Sequence, residues 1–345
     1  MTQLSDTSKK AHPVLHKPDG WVVLDKPLGV SSAKAVAMVR KAFGVKKAGH
    51  AGTLDPLASG VLPIALGEAT KTVSYVMSAE KSYAFSVSWG NETTTDDAEG
   101  SPTRQTDIIP NEAQIKDALP QFIGVIDQVP PAYSAVKIGG KRAYALARAK
   151  DKRAANAQIP EDGISKDGIS KDGTSEDTAP QSKADDIALT ARPIRIDSFV
   201  LMGHEQTQTG VISHFQVACG KGAYIRALAR DLGRVLGSAC YVTALRRLSV
   251  GRFSVDDAIS LDFLAEMRQG AAALSALTPI MAVLDDIPAI VMSNAQAQQL
   301  RFGQQVMLDA ALPAAEIYLA VLDDTPVALV RQEAGLIKPV RVLNC

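Results

Sequence analysis

The chain has 345 residues, 46% of them hydrophobic and 21% charged, enough to bury a sizeable core and to form more than one domain. Its 37 basic and 37 acidic residues cancel, no apolar run is long enough to span a bilayer, and the polar opening MTQLSDTSKKAHP lacks an apolar signal core, so no membrane association is expected and a cytoplasmic location is. Cys219, Cys240 and Cys345 show no Cys-x-x-Cys spacing, which argues against a disulfide framework or a zinc site.

Residues 1–17 read as a disordered tail. GWVVLDK (20–26) reads as a strand ending at Pro27, and a helix follows with Ser31 or Ser32 as N-cap and AKAVAMVRKAF as its body. A glycine-rich loop, GHAGTLDPLASGVLP (49–63), leads to a helix expected over 67–79. In SYAFSVSWG, Tyr83, Phe85, Val87 and Trp89 alternate with small residues, the period of a half-buried strand. Residues 111–122 are helical to about Pro120, and 130–150 suggest a strand, a Gly-Gly turn and a basic helix.

Residues 151–187 carry the imperfect repeat GISKDGISKDGTSEDT, too poor in apolar side chains to offset the entropy of ordering, and are read as a disordered insertion. Strands resume in RPIRIDSFVLMG and VISHFQVACG. GAYIRALARDLGRVLG (222–237) is an amphipathic helix with Ile225, Leu228, Ala229, Leu232 and Val235 on one stripe and Arg226, Arg230 and Arg234 stepping by four along another face. A strand and turn follow in YVTALRRLSVGRF (241–253). Near Asp285 the composition turns acidic, and a short helix (NAQAQQLRFGQ) with small strands (IYLAVLDD, PVALVRQ) suggests a β-rich C-terminal domain of about sixty residues.

The neutral total hides two basic patches. Residues 132–153 and 209–255 each hold seven Lys or Arg against one Asp, while the insertion holds nine acidic and five basic residues. These patches are either two solvated faces or a phosphate-binding surface.

In the 49–63 loop the ionisable side chains are His50 and Asp55 alone. Asp before Pro is a common turn element, and that reading stands beside a second one. Pro56 fixes the following φ, Gly49, Gly52 and Gly60 let backbone approach a ligand, and the residues from Leu57 to Ala65 are small or apolar. A carboxylate in such a partly dry site needs a cation or donors to stay ionised, and is a plausible nucleophile.

GHAGTLDPLASGVLP closely resembles the signature of the TruB family of tRNA pseudouridine-55 synthases. VVLDKPLGVSS (22–32), LGEATKTVSY, KSYAFSVSWG, TDDAEG (95–100), QVPPAYSAVKIGGKRAY (128–144), CGKGAYIRALARDLG (219–233) and LRRLSVGRF (245–253) follow in the family's order, over about residues 18–260 without the insertion. Ala51 departs from the Thr common in the signature. The resemblance implies an α+β pseudouridine-synthase fold: a mixed, mostly antiparallel sheet flanked by helices, with a catalytic domain over 18–284 and a small PUA-like domain over 285–345.

It further implies isomerisation of uridine 55 in the TΨC loop of tRNA, without cofactor or metal: the N1–C1′ bond breaks, the base rotates, and C5 joins C1′. A glycoside hydrolase uses two carboxylates and a water, whereas the signature loop offers Asp55 alone. By resemblance Asp55 is the catalytic aspartate, Tyr83 packs on the target base and assists proton transfer, and Arg226 pairs with the aspartate. Lys26 and Pro27 buttress the site, His50 lies near the flipped nucleotides, and Tyr224 and Leu245 line the pocket. Read from residue type alone, Tyr83 is equally a core aromatic, Arg226 a solvated helix residue, and His50 a ligand of loop carbonyls.

Charge placement nominates Lys141 and Arg142 on a mobile thumb (132–150), and Arg230, Arg246 and Arg247 beside a rigid helix face, as contacts to RNA phosphates. The partner is then the TΨC stem-loop, with no protein partner and a monomeric chain. A guide-RNA-dependent synthase, a non-catalytic tRNA-binding or remodelling protein and an RNA N-glycosidase are the rival readings.

Overall fold

The structure, a computed structural model, describes residues 18–149, 189–266, 275–308 and 312–345; the expected tail and insertion lie outside these. In chain order the elements are β1 (Gly20–Lys26), α1 (Ser32–Ala42), β2 (Ala48–His50), β3 (Ala58–Leu66), α2 (Val73–Ser78), β4 (Lys81–Trp89), β5 (Asn91–Thr93), β6 (Pro102–Gln105), α3 (Glu112–Ala118), β7 (Gly124–Gln128), β8 (Lys137–Ile138), β9 (Lys141–Arg142) and α4 (143–149). Then come β10 (Arg192–Thr207), β11 (Gly210–Cys219), α5 (Ile225–Val235), β12 (Cys240–Val250), β13 (Phe253–Ser254), α6 (Leu261–Glu266), β14 (Ala289–Val291), α7 (Asn294–Arg301), β15 (Val306–Met307), β16 (Tyr318–Leu322), β17 (Thr325–Glu333) and β18 (Leu336–Val342).

Two compact units divide the chain: one runs to Tyr83 and resumes at Leu245–Cys345, the other is Ala84–Ala244. In the first, β1 is antiparallel to β3 from Gly20↔Leu66 to Lys26↔Gly60, and β12 is parallel to β3 through Leu245↔Ala58, Arg246↔Ser59 and Arg247↔Gly60. β2 pairs with β3, and β13 with β12. In the second unit the strand order is β4-β11-β10-β7, with β10 antiparallel to both β11 and β7. The sheet is therefore mixed and mostly antiparallel, as expected.

Local chemistry explains most boundaries. Ser31 caps α1 by accepting a hydrogen bond from the Lys34 amide at 3.2 Å, and Arg40 and Lys41 sit favourably in its last turn. The helix expected over 67–79 starts instead as a 3₁₀ segment, Gly67–Thr72, at whose start the Glu68 amide donates to the Asp19 carboxylate at 2.7 Å; α2 follows it. β4 buries Lys81, Tyr83, Phe85, Val87 and Trp89 on one face, the predicted alternation extended by one lysine. At the β8–β9 hairpin Gly139 and Gly140 both have positive φ, 55° and 82°, the geometry a two-residue hairpin turn requires.

Each unit has its own core. In the second, Phe85 stacks on Phe215 at 5.2 Å between centroids, and Phe199 packs against both and against Phe122. In the first, Trp21, Val23, Val61, Ala65 and Phe253 pack with Leu319, Val321, Leu329 and Leu343. The order β14-β16-β17-β18-β15 makes a second, smaller sheet in that unit. β16 is buried on both faces: Leu319 and Val321 face the Trp21 core, while Tyr318 and Ala320 face a cluster with Ala297 and Leu300 of α7.

Candidate active site

Asp55 lies in the loop between β2 and β3, and its neighbours on both sides are fixed by uncharged hydrogen bonds. The Leu54 amide donates to Ser32 Oγ at 2.8 Å, and the Ser32 hydroxyl donates to the Leu54 carbonyl at 2.8 Å. The Gly29 amide donates to the Pro56 carbonyl at 2.9 Å, and the Ala58 amide to the Asp55 carbonyl at 3.0 Å. The segment 26–32, chosen from sequence for Lys26 and Pro27, is thus wrapped around the Asp55 loop. Lys26 has no exposed surface, and its ammonium closes this segment by donating to the carbonyls of Pro27 (2.9 Å) and Val30 (2.8 Å). Burial pulls the Lys26 pKa down to about 8, against the pull of the Asp55 carboxylate and with help from Arg247.

Arg247, read from sequence as a contact to RNA phosphate, is 1% exposed. Its Nε donates to the Val61 carbonyl at 2.7 Å and its Nη2 to the Gly52 carbonyl at 3.1 Å, so the guanidinium is spent inside the protein and the RNA-contact expectation does not hold for it. The loop glycines serve this arrangement. Gly60 has φ +100°, and a Cβ there would collide with the Arg247 backbone of β12; Gly52, φ +99°, faces the Arg247 guanidinium. The close approach anticipated for a ligand is, at Gly60, the approach of a neighbouring strand.

His50 ends β2, opposite Ile64. Burial, then the positive charge of Arg247, lowers its pKa, so the imidazole is neutral at neutral pH, and its Nδ1 is buried without a hydrogen-bond partner among the described residues. The expected alternative, a histidine satisfying loop carbonyls, has no such bond at Nδ1. Ala51, the departure from the signature, is fully buried with its amide on the Pro63 carbonyl. Tyr83 is 8% exposed on β4 and Leu245 9% exposed on β12, opposite Ala58. Arg246 makes a bidentate pair with Asp25, at 3.0 and 2.7 Å, and keeps a partly exposed side chain.

The second unit carries Tyr224 and Arg226. Tyr224 has extended backbone and is the N-cap of α5, which begins at Ile225 and not at 222. The Gln128 side chain holds it from both ends, accepting from its amide at 2.8 Å and donating to its carbonyl at 3.2 Å. Arg226 donates to the carbonyls of Thr95 (2.7 Å) and Tyr133 (3.0 Å) and lies 3.3 Å from the Asp97 carboxylate. Arg230 is 8% exposed, pairs with Asp96 at 2.9 Å and with Asp231, and donates to the Val129 carbonyl at 2.8 Å. Arg234 pairs with Glu92 at 2.8 Å, and Arg104 joins the same carboxylate.

The face left open as solvated or phosphate-binding is an ionic seam, and the expectation that Arg230 contacts RNA phosphate fails because its guanidinium is buried against carboxylates. Burial drives the Asp96 pKa up to about 6 even against Arg230, whereas at Glu92 the bonds from Arg234 and Arg104 outweigh burial and hold it below the ordinary range. The TDDAEG motif supplies Asp96 and Asp97, whose partners sequence reading did not assign. Lys141 and Arg142 form β9. Next to them Tyr144 packs edge-on against Tyr133, with the Arg148 guanidinium 4.5 Å from the Tyr144 ring centroid. Among the described residues no cluster of His, Cys, Asp or Glu could hold a metal, and no helix is long and apolar enough to cross a membrane.

Comparison with known proteins gives the family and the fold. Residues 40–161 match the family described as TruB family pseudouridylate synthase (N terminal domain), and residues 226–301 match tRNA pseudouridylate synthase B C-terminal domain. The tRNA pseudouridine synthase B of Bradyrhizobium diazoefficiens is 44% identical over 333 residues, covering 94% of this chain and 86% of that protein. The Caulobacter vibrioides protein of the same name is 40% identical over 334 residues, covering 94% and 96%. Among solved structures, a chain of a Cbf5–Nop10–Gar1 complex aligns with TM-score 0.64 at 22% identity, over 95% of this chain and 86% of that one, which supports the fold. On identity and coverage together, the chain belongs to the TruB family of pseudouridylate synthases.

Proposed function

We propose that this protein is an isomerase that converts the uridine at position 55 in the TΨC loop of tRNA to pseudouridine, with Asp55 as nucleophile. The observation that carries the reading is the Asp55 loop itself: a carboxylate in the family signature, with its flanking residues locked by neutral bonds beside Lys26. The N1–C1′ bond breaks, the detached base turns, C5 bonds to C1′, C5 loses its proton and N1 gains one. No electron is gained or lost, so the chemistry calls for no cofactor.

In this reading the resemblance gives Arg226 the role of keeping the catalytic carboxylate charged, and Tyr83 that of packing on the base and assisting proton transfer. His50, with its unspent Nδ1, meets the flipped nucleotides; Tyr224 and Leu245 line the pocket; Lys26 and Pro27 buttress the loop. Extruding the base costs a few kcal/mol, which stacking and pocket hydrogen bonds offset. With Arg230 and Arg247 committed to the interior, RNA phosphates fall to Lys141 and Arg142 of the hairpin and to the partly exposed Arg246. We further read residues 285–345 as a PUA-like domain, and the chain as a cytoplasmic monomer acting on tRNA without a protein partner.

Unmodified tRNA carrying tritium at uracil C5 tests this. Wild type is expected to release one tritium per tRNA, with none from the Asp55→Asn variant and none when the TΨC-loop uridine is replaced. No release with tRNA binding intact overturns the reading in favour of a guide-dependent or purely binding protein.

A further inference from the structure

Two adjacent serines open α1, and they do different work. Ser31 caps the helix. Ser32, 3% exposed, is not needed for capping, yet its hydroxyl spends both its donor and an acceptor on one residue, Leu54, twenty-two positions along the chain. A single hydroxyl bonded to both the N–H and the C=O of one residue fixes that residue's backbone in two directions. Leu54 is the residue before Asp55, and the next peptide but one is held by Gly29.

We propose that Ser32 is a positioning residue for Asp55: its hydroxyl sets the direction in which the carboxylate leaves the loop, and so its aim at the reacting atoms. This rests on the reading of Asp55 as nucleophile. Misplacing a reacting group by about 1 Å costs on the order of 100-fold in rate, while binding made elsewhere on the RNA is untouched. A serine that only supported the fold would alter stability and leave the rate of folded enzyme alone.

The test is single-turnover pseudouridine formation at saturating enzyme, with tRNA Kd and Tm measured on the same samples. Ser32→Ala is expected to lower the rate about 10–100-fold with tRNA Kd within about twofold of wild type. Ser31→Ala is expected to lower Tm and keep the rate. Ser32→Thr, which retains the hydroxyl, recovers most of the rate. Should Ser32→Ala not fold, Ser32→Thr and Ser32→Cys are compared instead: the weaker thiol donor is expected to be slower, and equal rates overturn the proposal. It is equally overturned by a Ser32→Ala rate within about twofold of wild type, or by a rate loss matched by weaker tRNA binding. An active Asp55→Asn enzyme sinks the nucleophile reading itself; an inactive one beside an unimpaired Ser32→Ala sinks this inference alone.

Discussion

The Asp55 loop and helix α5 are held in opposite ways. Around Asp55 the acceptors are backbone carbonyls and a serine hydroxyl, with backbone amides and the buried cations Lys26 and Arg247 as donors, and a strand approach tolerates no Cβ at Gly60. Along α5 the fixing bonds are ionic, with Arg226, Arg230 and Arg234 each set against a carboxylate from residues 92–97. A loop that must present a reactive carboxylate gains from neutral acceptors, because a further fixed carboxylate beside it would favour protonation. A helix that must present a cation can be anchored by carboxylates, which keep guanidinium groups charged even when buried.

The largest test of that contrast is in the seam. Arg230→Met leaves Asp96 buried without its direct cation and is expected to cost about 3–5 kcal/mol in urea unfolding, with Asp96→Asn added to it recovering more than half. A loss under about 1 kcal/mol, with no recovery, would mean that the pair is not what anchors the helix. In the loop the corresponding break is steric: Gly60→Ala combines a positive φ with a clash on the Arg247 backbone and is expected to cost about 2–4 kcal/mol, insensitive to salt.

Lys26 sharpens the comparison, being, like Arg247, a buried cation that donates to backbone carbonyls around the loop. Its pKa near 8 lies below the ordinary 10.5, so between these values the folded chain binds fewer protons than the unfolded one. Its contribution to stability is then fully present above about pH 10.5 and is lost as pH falls through about 8. Unfolding free energies of wild type and Lys26→Met, measured in urea across this window, should change relative to each other by on the order of 1–3 kcal/mol in total; parallel curves would refute it. The smallest effect is expected at the partly exposed Asp25–Arg246 pair: Asp25→Asn should cost about 0.2–1 kcal/mol, shrinking with added salt.

What sequence could supply divides along the same line. The β4 alternation, the Ser31 cap and the Gly-Gly hairpin were legible because each is decided within a few residues. The arginine seam was not. A step of four says that Arg226, Arg230 and Arg234 share a face, but Glu92, Asp96 and Asp97 lie about 130–140 positions earlier, and only the folded chain shows that they cover that face. Ser32 was legible as a capping candidate, and its role on Leu54 was hidden for the same reason. Of the glycines read as places where backbone approaches a ligand, Gly60 is instead met by the Arg247 backbone, Gly52 faces the Arg247 guanidinium, and a Cβ at Gly49 would meet nothing within 4 Å among the described residues.

The first unit is interrupted in sequence: its core joins Trp21 and Val23 to Leu319 and Leu343, with Ala84–Ala244 in between. During synthesis the aspartate loop therefore emerges long before Arg247 and the strand that seats Gly60. Such sequence-distant pairing is slow to form, although the entropy of closing the excursion grows only slowly with its length. A ribosome-bound chain that has finished the middle segment would carry an unfinished aspartate loop, and catalytic competence would arrive late, with the final hundred or so residues.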